Sequence, residues 1–487
     1  MKVVVGLALV AAVMAGCTTV PEPVVHLPAA GTPVVTTVAA DTVGPLRQRG
    51  AELIDAAGRS VLIHGINSVE KSTPFISTLD DGQLGPADFA SFERDGINGV
   101  RLGVWPAALM PEPGVVDQDY LDLVARDVDA LTAHHLWVLL DLHQDVFTGM
   151  PTWATLPDAA ALSDTPPDIL TSLIGWSAAY VSPRSLRQWD DWLTNAEVSP
   201  GVGVVDAYAD GLAQLAARFA DSDNVIGIEL MNEPFPGTPV LDCVSGNCPA
   251  VDAQLSAQSV RMTNRIRQVA PDMGVWWEPF TLSTLLGHPT MSATGVTPAP
   301  DGPQVGVSFH AYCFETDAGT PVEPPVHEVA LCNQLFGNDF DNAARLTDAF
   351  GGAQMLTEFG ASQNPLNATL GARFADQRLL SWFHWGQRPD DAPDVVGSQL
   401  IRTSAQATAG HVQSQSFDPA TGAFTLVYQP DHTIGAPTSI VVPARQYPDG
   451  YAVQVIGGAV TSAANSGRLT VVADANAGSV TVTISRV

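Results

Sequence analysis

The chain alternates between two hydrophobic periods. Short runs such as INGVRLGV, LWVLLDLHQD, VIGIEL, MGVWWEP, VGVSFHAYCF, MLTEFG and SWFHWG are β-branched, leucine-rich or aromatic until their last residues. That is the pattern of parallel strands buried on both faces. Between them lie stretches with apolar residues at helical spacing, among them ADFASFERDG, DYLDLVARDVDALTAHH, VVDAYADGLAQLAARFA, AQLSAQSVRMTNRIRQVAP, NAARLTDAFGG and ARFADQRLL. Upstream, AELIDAAGRSVLIHGIN predicts two short strands around an Asp-Ala-Ala-Gly turn, the second of which opens the series. Eight strands separated by helices predict an α/β fold, a (β/α)8 TIM barrel over residues 46–390. Beyond it the period shortens to the alternation of FTLVYQP, YAVQVIGG, RLTVVADA and SVTVTISRV, which predicts a C-terminal antiparallel β-sandwich over 391–487.

Two segments interrupt the alternation. Residues 146–198, between the third strand and its helix, are far longer than such a connection needs. They carry Phe147, Met150, Trp153, Leu170, Leu173, Ile174, Trp176 and Tyr180. A packed excursion with its own small core and an apolar wall beside a cleft are both open readings. The second segment, 281–304, is rich in Thr, Gly and Pro and reads as a surface loop.

The polar residues at the strand ends carry the candidate chemistry. VIGIEL runs into Asn232, Glu233 and Pro234. Proline cannot donate to a ladder, so the strand stops there and Glu233 sits at its carboxyl end, where barrels of this type do their chemistry. Glu358 follows MLT in the same way, with Phe359 and Gly360 after it. A lone glutamate reads most simply as a capping or ion-paired residue. Two that end two strands of one barrel can face each other across a cleft, as acid–base cleavage of a glycosidic bond requires. Other strand ends present Arg101, His143, Gln144, Asp145, Glu278, His310 and Tyr312, with Glu70 and Lys71 after the first strand. Lys71, His143 and Asp145 read as binders of sugar hydroxyls, or Lys71 as the partner of Asp145 or Glu70 in an ordinary ion pair. Such chemistry needs no cofactor and no metal, and no histidine lies at ligand spacing from CVSGNC.

Composition narrows the setting. With 46% apolar and 15% charged residues the chain is globular, and 487 residues exceed what one core usually serves. A net charge of -29 argues against nucleic acid as a partner, because phosphate contacts need basic patches. Residues 1–17, MKVVVGLALVAAVMAGC, read as a signal peptide, and 18–45, rich in Pro, Thr, Val and Ala, as an extended linker. Ala15-Gly16-Cys17 resembles a lipobox, so secretion and lipid anchoring at the cell surface through Cys17 are both expected outcomes of export. The four remaining cysteines read as disulfides. Cys243 and Cys248 bracket VSGN and can close locally, leaving Cys313 with Cys332.

The order of strand-end residues resembles glycoside hydrolase family 5, a family of retaining enzymes. The match runs Arg101, His143, Asn232-Glu233, His310 and Tyr312, Glu358, then a tryptophan of SWFHWG, where Trp385 is preferred to Trp382 as nearer the carboxyl end. The resemblance implies that Glu233 is the acid/base and Glu358 the nucleophile. It also implies that Asn232 binds the sugar 2-hydroxyl, and that Arg101, Tyr312 and His310 keep Glu358 ionised. Glu233 is expected to be protonated, sheltered and close to a negative neighbour. Within the family, Lys71 after HGIN, the HQD triplet, LMNEPF, HAYCF and the appended sandwich are most similar to actinobacterial endoglycoceramidases. That implies a glycosphingolipid substrate, contact with a lipid membrane or micelle surface, and action as a monomer. A polymer-cutting β-glucanase and a non-catalytic glycan-binding protein are the alternatives.

Overall fold

The computed structural model describes residues 44–76, 84, 86–245, 248–281, 291–297, 305–313, 326–361, 365–385, 397 and 399–487. The expected signal peptide, the expected linker up to residue 43 and most of the 281–304 segment read as a surface loop lie outside the described residues. So do the side chains of 173–176, which include Ile174 and Trp176.

Eight parallel strands close into a barrel: β1 (His64–Ser68), β2 (Gly99–Val104), β3 (Trp137–Leu142), β4 (Val225–Glu229), β5 (Val275–Trp277), β6 (Val305–Ala311), β7 (Gln354–Phe359) and β8 (Ser381–His384). β8 closes on β1 through Trp382–His64 and Phe383–Gly65. The helices that follow the strands cover the outside. The one before β7 runs Val326–Phe350, longer than the periodic stretch NAARLTDAFGG alone suggested.

Alternation along the strands layers the barrel interior, since residues two apart share a face. The amino end is filled by Ile63, Leu139, Ile226, Trp276, Met355 and Phe383, all buried in one apolar cluster. Two residues further along, Leu139 gives way to Asp141 and then His143, and Trp276 gives way to Glu278. The apolar floor thus supports a polar layer held by backbone that cannot move without breaking the barrel.

The opening hairpin departs from expectation. Ser60–Val61 does not lead into the barrel. It pairs antiparallel with Ala407 and Thr408, and the chain enters β1 only at His64. The N-terminal strands Arg47–Arg49, Glu52–Ile54 and Ser60–Val61 therefore complete a seven-stranded sheet with Ser404–Thr408, Thr438–Val441, Arg468–Ala473 and Gly458–Val460. A four-stranded sheet (Gly410–Asp418, Ala423–Pro430, Val480–Arg486, Tyr451–Ile456) faces it. Phe424, Leu426, Tyr428, Ile440, Val471 and Val482, from both sheets, form the sandwich core. The Gln406 side chain donates to Gly96 O at 2.8 Å, and Arg402 ion-pairs with Asp376, both fixing the sandwich to the barrel.

Candidate active site

Arg101 organises the polar layer. It is fully buried, and its guanidinium donates to Glu229 (2.6 Å), Glu358 (2.6 Å), Asn67 (2.9 Å) and Asn232 (2.8 Å), with Asp141 at 3.0 Å. A guanidinium suits this because five donors in a rigid fork can meet several acceptors at once. Asn67 is held in turn by the carbonyls of Thr357 and Phe383, and Thr357 donates to Glu229. Asp141 and Glu229 interrupt otherwise apolar strands because they neutralise a buried cation.

Glu358 and Glu233 face each other above this layer. Arg101 holds Oε1 of Glu358, and the Tyr312 hydroxyl donates to Oε2 at 2.9 Å. Glu233 receives the Tyr180 hydroxyl on Oε2 at 2.8 Å and pairs through Oε1 with His310 Nδ1 at 3.0 Å. Carboxylate oxygens of the two glutamates and a His310 nitrogen all lie within 4.8 Å of one another. The backbone at Glu233 has φ +45°, an uncommon conformation for this residue, and its N–H donates to Glu278 Oε2 at 2.7 Å. Gly360, two residues after Glu358, also has a positive φ. It is +100°, and a Cβ there would lie 2.3 Å from His384 Nε2.

The electrostatics of the resting site differ from the expectation for Glu233. Burial pushes its carboxyl up, but the hydrogen bond and charge of His310, with the Tyr180 hydroxyl, more than offset this and hold it below the usual range. Burial raises Glu358, and His310 and Arg101 only partly oppose it. Glu278 goes well above the carboxylate range through burial, reinforced by Glu229 and Glu233. His310 would be lowered by burial, yet Glu278, Glu358 and Glu233 bring it up to about 10. Without substrate, the site therefore favours the ionised form of Glu233 more than that of Glu278 or Glu358.

At the rim, His143 Nδ1 meets Asp141 at 2.7 Å, and its ring stacks on Trp385 at 5.4 Å. Burial would lower His143, but Asp141 and Asp145 bring it up to about 9. Lys71 ion-pairs with Asp145 and lies 5.0 Å over the Trp385 ring. Trp382 is fully buried against His64 at 4.4 Å, on the far side from these groups. Asn232 accepts from Arg101 and donates to Gln144 O, which engages one of its two amide hydrogens. The structure thus brings Lys71, Arg101, His143, Asp145, Asn232, Glu233, His310, Tyr312, Glu358 and Trp385 around one mouth. A cleft of about 540 Å³, lined by Lys71, Asp145, Thr148, Arg184 and Gln188, continues from it.

Sequence reading did not assign Asp141, Glu229, Glu278 or Tyr180 to the site. The first two carried a signal, a charge inside a buried strand. Tyr180 carried none, because its excursion has no period to place it. That excursion packs on itself and on the connection after β2: Phe147 meets Trp189 edge-on at 5.2 Å, and the Trp153 indole donates to Met110 O at 2.8 Å. Among its described residues the exposed large apolar side chains are instead Leu162 and Ile169 (69% exposed). Leu241 (74%) and Val244 are exposed on the loop after β4.

Comparison with known proteins adds the following. The family described as cellulase (glycosyl hydrolase family 5) matches residues 55–391, and the glycoside hydrolase family 5 C-terminal domain matches 402–484. Over 451 residues the chain is 35% identical to endoglycoceramidase I of Rhodococcus hoagii, covering 91% of this chain and 88% of that protein. Among solved structures, endo-glycoceramidase II from Rhodococcus sp. in its ganglioside GM3 complex superposes with a TM-score of 0.73 at 27% identity, covering 90% of this chain and 100% of that one. The lactosyl-enzyme intermediate of the same protein gives 0.70 at 27% identity, with the same coverage.

Proposed function

The chain belongs to glycoside hydrolase family 5 and is a glycoside hydrolase, and from that premise we propose that it cuts the β-glycosidic bond between glycan and ceramide in glycosphingolipids, with retention of configuration. The observation that carries the mechanism is that one carboxylate oxygen of Glu233 lies within 4.8 Å of one of Glu358. Retaining enzymes keep their two carboxyls about 5 Å apart, and inverting ones about 6.5–9.5 Å to admit a water.

In the first step Glu358 attacks the anomeric carbon, the bond to the ceramide oxygen breaks, and Glu233 gives that oxygen its proton. A glycosyl ester on Glu358 remains. In the second step Glu233, now ionised, takes a proton from water as the water oxygen attacks the same carbon, which frees the glycan and restores Glu358. Arg101 and Tyr312 supply the donors that an ionised Glu358 needs. A sugar seated between the carboxyls excludes water from Glu233, which favours its protonated form and opposes the resting order. Asn232 offers its remaining amide hydrogen to the 2-hydroxyl, and Lys71, His143, Asp145 and Trp385 bind the sugars of the glycan.

Support for ceramide as the leaving group comes from the names of the relatives and from the exposed apolar side chains. Leu162, Ile169, Leu241 and Val244 lie on two loops that leave the carboxyl ends of β3 and β4. Apolar surface of this kind is tolerated where it binds something. Each buried methylene contributes about 0.8 kcal/mol, so even partial cover of two alkyl chains would dominate affinity. Export fits this substrate and the two disulfides, Cys243–Cys248 and Cys313–Cys332. Among the described residues no helix is long and apolar enough to cross a membrane, so contact with lipid would be through a surface or through an acylated Cys17. We assign the barrel, which begins at His64, to catalysis, and the sandwich of 391–487, whose larger sheet includes the N-terminal strands from Arg47 to Val61, to its support.

The test is release of free ceramide from lactosylceramide in detergent micelles, with Glu358→Ala as the control. Release of intact lactose and ceramide is expected. Cleavage of soluble β-glucan with no ceramide release would leave a polysaccharide hydrolase as the function.

A further inference from the structure

We propose that Tyr180, carried by the long excursion and not by a barrel strand, is the positioning residue that orients Glu233 and makes it the stronger acid. The inference rests on the reading of Glu233 as acid/base. Tyr180 is only 5% exposed, and its hydroxyl donates to Glu233 Oε2 at 2.8 Å. Its ring stacks on Phe235, two residues beyond Glu233, at 5.1 Å with the planes 29° apart. One tyrosine thus grips the carboxyl by its hydroxyl and the following backbone by its ring.

The surrounding backbone is shaped to this contact. Val146 and Phe147 have φ values of +53° and +70°, a conformation that is a true outlier for bulky and β-branched residues. Such strain persists only where neighbouring contacts impose it. Here the Val146 backbone hydrogen-bonds the Tyr180 phenol, and Gln144, two residues before Val146, donates to the carbonyls of Asn232 (2.7 Å) and Glu233 (3.1 Å). The start of the excursion and the acid/base are therefore one hydrogen-bonded unit.

The clamp prefers one protonation state. With His310 cationic on Oε1 and Tyr180 donating to Oε2, both oxygens of Glu233 accept, which suits the carboxylate. That is the state Glu233 reaches when the leaving group departs with its proton. Tyr180 therefore eases proton donation in the first step and weakens Glu233 as a base in the second.

Tyr180→Phe keeps the ring and deletes the donor. Loss of a hydrogen bond to a charged group corresponds to a rise of about one to two pH units in the carboxyl's titration. Because the first step needs protonated Glu233, the alkaline limb of kcat/KM on a ceramide substrate should move up by about one unit or more. The kcat/KM of an aryl glycoside whose leaving group needs no proton, which reports the first step alone, should stay within about twofold. Replacing Tyr180 by 3,5-difluorotyrosine keeps the shape and strengthens the donor, so that limb should move down. It serves as the independent arm if the phenylalanine variant does not fold. An unmoved limb in either folded variant overturns the proposal, as does equal loss on both substrates. Glu233→Ala, run alongside, separates the two readings. If it keeps full activity on the ceramide substrate, the acid/base assignment itself fails. If it loses that activity while the Tyr180 variants leave the limb in place, only the role of Tyr180 is refuted.

Discussion

Arg101→Met is the perturbation that most directly tests why the site is built as it is. The side chain keeps an unbranched stem of similar bulk up to the guanidinium and loses the charge that lies within 3.0 Å of Asp141, Glu229 and Glu358. Removing one partner of a buried ion pair costs about 3–5 kcal/mol, because the other is left uncompensated. The penalty is capped, since a stranded carboxylate can take up a proton instead. A carboxyl that is ionised near pH 4 in the unfolded chain but protonated in the folded one loses about 1.36 kcal/mol per pH unit above that value. The sign follows. The folded-state pKa is raised above the unfolded one, so the native state binds more protons and stability falls as pH rises. One such carboxyl gives a deficit of roughly 1 kcal/mol at pH 5 and about 4 kcal/mol at pH 7. Urea unfolding followed by the fluorescence of the ten tryptophans, on wild type and variant across that range, reads the difference directly. A deficit that does not change with pH, or one below about 1 kcal/mol at pH 7, would refute the idea that Arg101 neutralises these carboxylates.

Other outcomes separate the roles around it. Glu358→Ala supplied with azide should yield a glycosyl azide of inverted configuration, whereas Glu233→Ala should spare the first step for leaving groups that need no proton; a retained azide product from Glu358→Ala would exchange the two roles. Leu241→Asp and Ile169→Asp should each raise KM for ceramide-linked substrates by about tenfold while an aryl glycoside of the same sugar is unaffected, and equal loss on both would show that those residues only support the fold. Replacing Trp176 by a charged residue should behave like those two if it belongs to the same surface. The Cys313–Cys332 bridge spans 19 residues, directly after Tyr312. Its removal by paired serine substitution should cost about 3 kcal/mol of stability, measured by denaturant titration against the oxidised protein.

Most of the barrel was legible because each strand announced itself twice, by an apolar run and by the polar residues that ended it. Glu233 and Glu358 were the clearest case, each a charge with no place in the run it closed. Trp385 was preferred to Trp382 because it stands later in SWFHWG, and the structure stacks it on His143 while Trp382 packs against His64. The boundary at Leu62–Ile63 was not legible. SVLIHGIN is one continuous apolar run, and nothing local shows that its first residues pair with strands more than 340 residues away. Glu278 and Asp141 were visible as charges at strand ends or within strands, yet their partners come from other strands and only the closed barrel brings them together. The preference of Glu233 for its ionised state was missed for the same reason. Its causes are His310, from another strand, and Tyr180, which a strand-by-strand reading cannot bring to the mouth of the barrel.

The central claim is that Glu358 carries the glycan while Glu233 handles the proton. An activated 2-deoxy-2-fluoro glycoside of the substrate's first sugar should form the intermediate quickly and release it slowly, because the fluorine disfavours both transition states and the good leaving group rescues only the first. After incubation and proteolysis, mass spectrometry should find one added sugar, on the peptide containing Gln354–Phe359 and on Glu358 within it. A label on Glu233, or inactivation with no covalent adduct at all, would contradict the account.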